Sequence, residues 1–224
     1  MNEPTAAADR LGRRRFLSIT GGLVAAASVG LAAPGAASAA PGGHPTAPVA
    51  GRPVQARPDR VATYQIEGSD ASVALPAGPA AAVLLHVARR FHYEIGTLRA
   101  GDVTGYATGP SAGDPFEAVY RAGTALAIRP SMYPAGATGG LFPHEVAIVR
   151  DVLAECEGVV RWGGDHPKTP KEGHFQLDVP PRDPALERVA RKLGGQGAGA
   201  PADPFTPDRR RAAERLAERQ VAGR

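Results

Sequence analysis

The side chains best suited to act on a ligand gather between residues 161 and 181. Arg161, Trp162, Gly163, Gly164, Asp165 and His166 come first, and after a Pro- and Lys-containing stretch follow Glu172, Gly173, His174, Phe175, Gln176, Leu177, Asp178 and Val179. From His174 onward polar and apolar residues alternate, which is the period of a strand with one buried face. Val159 and Val160 lead into Trp162 as a second short apolar run, and Gly163, Gly164 and Pro167 separate the two runs. The pattern predicts strand, loop, strand, with the loop delivering His174 to the face that looks into a cleft.

At these residues the chain resembles the zinc D-alanyl-D-alanine carboxypeptidases and L-alanyl-D-glutamate peptidases, which cut peptidoglycan stem peptides. The likeness lies in Arg161-Trp162-Gly163-Gly164-Asp165 followed by Gly173-His174-Phe175-Gln176. The resemblance implies an α+β fold, a small mainly antiparallel sheet flanked by helices, and a zinc-ligand role for His174. The other half of that family's signature, S-x-H-x-x-G-x-A-x-D, aligns with 120–127, where Gly123 and Ala125 match. Tyr120 and Ala127 occupy the two remaining metal-ligand positions. The segment 102–109 resembles the family's Ser-Gly-Tyr-Arg stretch, with Ala107 where many members carry a carboxylate-clamping Arg. Lys171 takes the place of the family's acid or base.

A catalytic zinc site needs about three protein ligands and an open position for water. Tyr120 is a poor ligand at neutral pH, because a phenol ionises near pH 10, and Ala127 has no donor atom. No cofactor is therefore expected. Glu172, two residues before His174, would share its face on a continued strand and is the candidate catalytic base. Tyr106, Tyr120, Arg121 and Trp162 are the expected substrate-contacting residues. The leading expectation is an exported, non-catalytic module that binds a peptidoglycan peptide or cell-wall polymer. The alternative is an active metallopeptidase with an altered, zinc-holding site around His174, Glu172 and His166; a third is an envelope protein whose cleft takes no ligand. His144 and His166 are the other histidines in this region, and nothing in their spacing selects them as ligands.

The elements that must position these groups follow in chain order. Arg13, Arg14, Arg15, Phe16 and Leu17 fit a twin-arginine export motif, residues 19–33 form a weakly apolar run, and Ala37-Ser38-Ala39 is a small-residue cleavage site. Residues 1–39 are thus an expected signal peptide and 40–60 a Pro-, Gly- and Ala-rich linker. The run is too short and Gly-rich for a retained membrane span. A peptidase-like domain is expected over 61–193. Within it 79–91 reads as a helix on Val83, Leu84, Val87 and Phe91, with His86 and His92 as surface or helix-end histidines; 124–128 reads as a strand with Ala125 and Ala127 on the cleft side. Residues 131–143 read as a Pro/Gly loop, either a cleft rim or a connection packed by Tyr133 and Phe142. A helix from Pro143 buries Val146, Val149, Leu153 and Cys156, and a shorter one from Asp183-Pro184 carries Leu186, Val189 and Leu193. Residues 194–224 read as a Gly/Pro linker and a charged, solvated C-terminal helix.

Composition bounds the function class. The formal charge of the chain is +4; the leader holds four arginines against two acids, leaving about +2 for the mature chain. That balance argues against a dedicated nucleic-acid binder. One cysteine, Cys156, cannot form an internal disulfide, so an exported domain must rely on its apolar core. Changing both Arg13 and Arg14 to Lys is expected to hold the precursor inside the cell. Mature protein in the wall or medium fraction at normal yield from that variant would refute the export assignment.

Overall fold

Alternation along two short strands gives the central sheet an oily face and a second face lined by small and polar groups. The computed structural model describes residues 60–107, 115–195 and 203–223, all within one unit, Thr46–Arg224. The expected signal peptide and nearly all of the expected linker lie outside the described residues. The architecture is α+β, with small antiparallel sheets and packed helices. In order the elements are Val61–Gln65 (β1), Ser72–Pro76 (β2), Pro79–Glu94 (α1), Val103–Thr104 (β3), Glu117–Arg121 (α2), Ala125–Ile128 (β4), Pro143–Glu155 (α3), Val160–Trp162 (β5), His174–Leu177 (β6), Pro184–Gly195 (α4) and Pro207–Ala222 (α5). β1 and β2 form a hairpin, and the other four strands form one antiparallel sheet in the order β3-β4-β6-β5.

Register decides what each face presents. Leu126 pairs with Phe175, Trp162 with Phe175 and Val160 with Leu177, so their side chains share one face and enter the main core. Helix α1 contributes Val83, Leu84, Val87 and Phe91 to that core, the residues whose helical spacing predicted it. It contacts α3 and α4 as well as β4 and β6. The predicted helices at 143 and 184 are present, with Val149, Leu153, Cys156, Leu186, Val189 and Leu193 buried. Asp183 starts α4 by accepting the Ala185 N–H at 2.8 Å. Glu145 closes the first turn of α3 by accepting the Phe142 N–H at 2.7 Å. Cys156 is fully buried, and burial pushes its thiol pKa up to about 12, so it is an inert core residue.

The charged C-terminal helix is not the solvated element expected from its composition. Ala213, Leu216 and Gln220 recur at helical spacing and are buried, and α5 packs along α3. The reason it stays there is partly electrostatic. Arg209 donates to both oxygens of buried Asp151 at 2.7 and 2.6 Å and to Glu155 at 2.8 Å. Arg90, from α1, meets Asp151 at 3.0 Å and also engages Glu94 and Glu155. His86 lies 3.0 Å from Glu155 through Nε2 and accepts from Arg89 through Nδ1 at 3.1 Å. Three helices are therefore joined through one partly buried charge cluster. At the far end of α5 the Gln220 amide donates to the Val160 carbonyl at 2.8 Å, tying the helix to β5.

Burial alone would raise the Glu155 pKa, but hydrogen bonds from His86 and Arg209 and the Arg90 charge outweigh it and hold the carboxyl down to about 2. A lowered folded-state pKa means stabilisation that is complete above the ordinary carboxyl value of 4.5 and is lost as pH falls through about 2. Arg209→Ala should cost about 2 kcal/mol, since it strips a buried carboxylate of one of its two cations. Urea unfolding of the mature chain at pH 7 measures this. A loss under about 0.5 kcal/mol would show that α5 is not anchored by charge.

Candidate functional site

The second face of the sheet begins with two alanines. Ala125 pairs with Gln176 and Ala127 with His174, so these four side chains stand together on the side away from Leu126 and Phe175. The small residues on β4 leave room for side chains from above, and Phe116 and Tyr120 fill it. Phe116, Tyr120, Ala125 and Ala127 make a separate small apolar cluster, with Ala107 and Val119 at its edge. Helix α2 is only five residues long; it turns directly into β4 through Gly123, whose φ of 68° is left-handed. Gly163 is equally constrained: a Cβ there would lie 2.8 Å from the His174 Cβ and 2.7 Å from the Lys171 carbonyl oxygen.

His174 is fully buried at the centre. Its Nδ1 lies 2.6 Å from the Tyr120 hydroxyl and its Nε2 lies 3.0 Å from Gln176 Oε1. The Phe116 ring leans against the imidazole with centroids 4.1 Å apart, and the His166 ring meets Phe116 edge-on at 5.3 Å. The Lys171 ammonium lies 5.1 Å from the Tyr120 centroid and 5.5 Å from that of Phe116, in cation–π range. His166, Gln176 and Tyr106 are half-buried and form the more open margin of this group. His166 Nδ1 accepts the Thr169 N–H at 3.0 Å.

Four sequence positions thus converge: Ala107, Tyr120, Ala127 and His174. Lys171 joins them. Tyr106 lies beside Gly123, next in the chain to Ala107.

The other predicted site residues go elsewhere. Glu172 does not share a strand face with His174, because β6 begins at His174 and Glu172 sits in the turn that precedes it, closed by the His174 N–H to the Lys171 carbonyl at 3.0 Å. Its buried carboxylate instead accepts the backbone N–H groups of Gly139, Gly140 and Leu141 at 2.8, 2.7 and 3.1 Å. The carboxylate is spent on holding a loop. Within the loop 131–143 Tyr133 is buried, as a packed connection requires, whereas Phe142 is exposed and stacks on His144.

Trp162 faces the main core; its indole N–H donates to the Glu172 carbonyl at 2.7 Å, and the Arg150 guanidinium lies 5.0 Å from its ring. Arg150 in turn holds Asp165. Arg121 projects outward from α2 and pairs with Glu117 at 3.1 Å. His86, expected at the surface or a helix end, is instead buried within α1 and serves the charge cluster, while His92 lies in the last turn of α1 and accepts the Leu98 N–H through Nδ1 at 2.9 Å. Phe116 is the site residue that the motif reading passed over. Its signal is its position four residues before Tyr120, the spacing of neighbours on a helical face.

Among the described residues no three His, Cys, Asp or Glu side chains gather, Ala127 offers no donor, and both nitrogens of His174 have protein partners. Among the described residues the site gathers hydrogen-bonding and aromatic side chains with the Lys171 ammonium beside them. No family model, no curated protein and no solved structure matches the chain.

Glu172→Ala is expected to free the 139–141 segment and to cost about 3 kcal/mol, the scale of removing a buried carboxylate that accepts several N–H bonds. Limited proteolysis should then cut within 131–143 first. Unchanged stability and no new cut in that loop would return Glu172 to the list of candidate site residues.

Proposed function

We propose that this chain is an exported, non-catalytic relative of the peptidoglycan stem-peptide peptidases, with a D-Ala-D-Ala carboxypeptidase-like domain that binds a cell-wall peptide. One observation carries the reading. Ala107, Tyr120, Ala127 and His174 are spread over 68 positions of sequence, yet they meet on one sheet face, and they are the four positions that the family resemblance assigns to the substrate clamp and the metal ligands. A chance motif match gives no reason for that meeting.

Binding is the activity this site supports best. Hydrolysis by an altered metal site would need donors that Tyr120 and Ala127 do not supply, and Glu172 is engaged by the loop amides. Backbone and side-chain groups of a peptide would find hydrogen-bonding partners at the half-buried margin formed by Tyr106, His166 and Gln176, with the aromatic pair of Phe116 and Tyr120 behind. The mature chain, with its leader removed, would meet such peptides outside the cytoplasm.

The test is titration calorimetry of mature protein with a stem pentapeptide ending in D-Ala-D-Ala, with mass spectrometry of the same samples after prolonged incubation. Saturable binding, intact peptide, and at least tenfold weaker binding by His166→Ala are expected; tenfold corresponds to about 1.4 kcal/mol. His166 is suited to this because it is half-buried, whereas truncating fully buried His174 would also unpack Phe116 and Tyr120. Cleaved peptide would overturn the non-catalytic reading, and absence of saturable binding would overturn the peptide-binding one.

A further inference from the structure

The partners of the two His174 ring nitrogens select one tautomer of the neutral imidazole. Gln176 Oε1, a carbonyl oxygen, can only accept, so the proton of a neutral imidazole sits on Nε2 and points to it across 3.0 Å. Nδ1 is then an acceptor, and the Tyr120 hydroxyl donates to it across 2.6 Å. The ring is enclosed as well: Phe116 lies against it at 4.1 Å and Tyr120 meets it edge-on at 5.2 Å. Tyr120 comes from α2, His174 and Gln176 from β6, and Ala127 on β4 faces His174 across the ladder. A buried imidazole lacking such partners would cost free energy, so the phenol and the amide are part of what makes His174 tolerable there.

We infer that the Tyr120 hydroxyl makes this site independent of metal: its bond to His174 Nδ1 joins α2 to β6 and occupies the imidazole edge that an ion would need. The joint is a neutral O–H···N bond completed by Nε2–H···O, so it asks for no ion and leaves none of the imidazole's nitrogens available to one. Tyr120 is thus a positioning residue that sets the His174 tautomer and ring orientation. This holds whether or not a wall peptide is the ligand, since it concerns only how the site is closed.

Nitrogen-15 NMR of the labelled mature protein reads the claim directly. Long-range proton–nitrogen spectra should show His174 as the neutral Nε2–H tautomer, and one equivalent of zinc chloride should leave those signals and the melting temperature unchanged. In Tyr120→Phe the Nδ1 resonance should move toward the position of an acceptor without a donor. A wild-type Nδ1–H tautomer, saturable loss or shift of the His174 signals with zinc, or an unmoved Nδ1 in Tyr120→Phe would each overturn the inference. If Tyr120→Phe does not fold, the tautomer and the zinc titration of the wild type still decide.

Discussion

The register between β4 and β6 is the constraint from which the rest follows. Pairing Leu126 with Phe175 and Ala127 with His174 sends one set of side chains into the main core and the other into the Tyr120 cluster. Because side chains alternate with period two, a slip of one residue would exchange the faces, putting an imidazole into the oily core and Phe175 among the polar groups. Such a slip strips His174 of Tyr120 and Gln176 while exposing the ring of Phe175. Core packing and site assembly therefore enforce the same register.

Helices secure the sheet from the core side, and they are bound to each other by charge as well as by packing. Asp151 and Glu155 on α3 receive Arg90 from α1 and Arg209 from α5. Burying a carboxylate is costly unless it is paired and hydrogen-bonded, and here two guanidiniums from different helices share the two acids. The C-terminal helix, which reads in sequence as mostly charge, is thus tied into the body of the domain at one end by Arg209 and at the other by Gln220.

Sequence periodicity made α1, α3, α4, β4 and the apolar alternation of β6 legible, since those segments bury a face and carry the repeat that burial imposes. It failed where the cause was tertiary. Nothing local tells that Asp151 awaits Arg209, so α5 reads as solvated. Glu172 reads as a strand-mate of His174, but the strand starts two residues later, and its carboxylate finds loop amides 31 to 33 residues away. Trp162 sits in a motif that suggests ligand contact, yet the β5–β6 pairing with Phe175 turns its ring to the core. The meeting of Tyr120 and Ala127 with His174 has no local signal, because His174 lies 54 and 47 residues beyond them and no period links such positions. Their chemistry, a phenol bonded to an imidazole, is a tertiary contact that neither segment signals alone.

The central proposal is that Tyr120, Ala127 and His174 occupy the positions of a metal site but carry side chains that do not make one. Metal content of the double variant Tyr120→His with Ala127→Asp, measured by mass spectrometry after dialysis beside the wild type, tests it most directly. One zinc per chain in the variant and far less than one in the wild type is the predicted result. Stoichiometric zinc in the wild type, or none in a folded double variant, would contradict it.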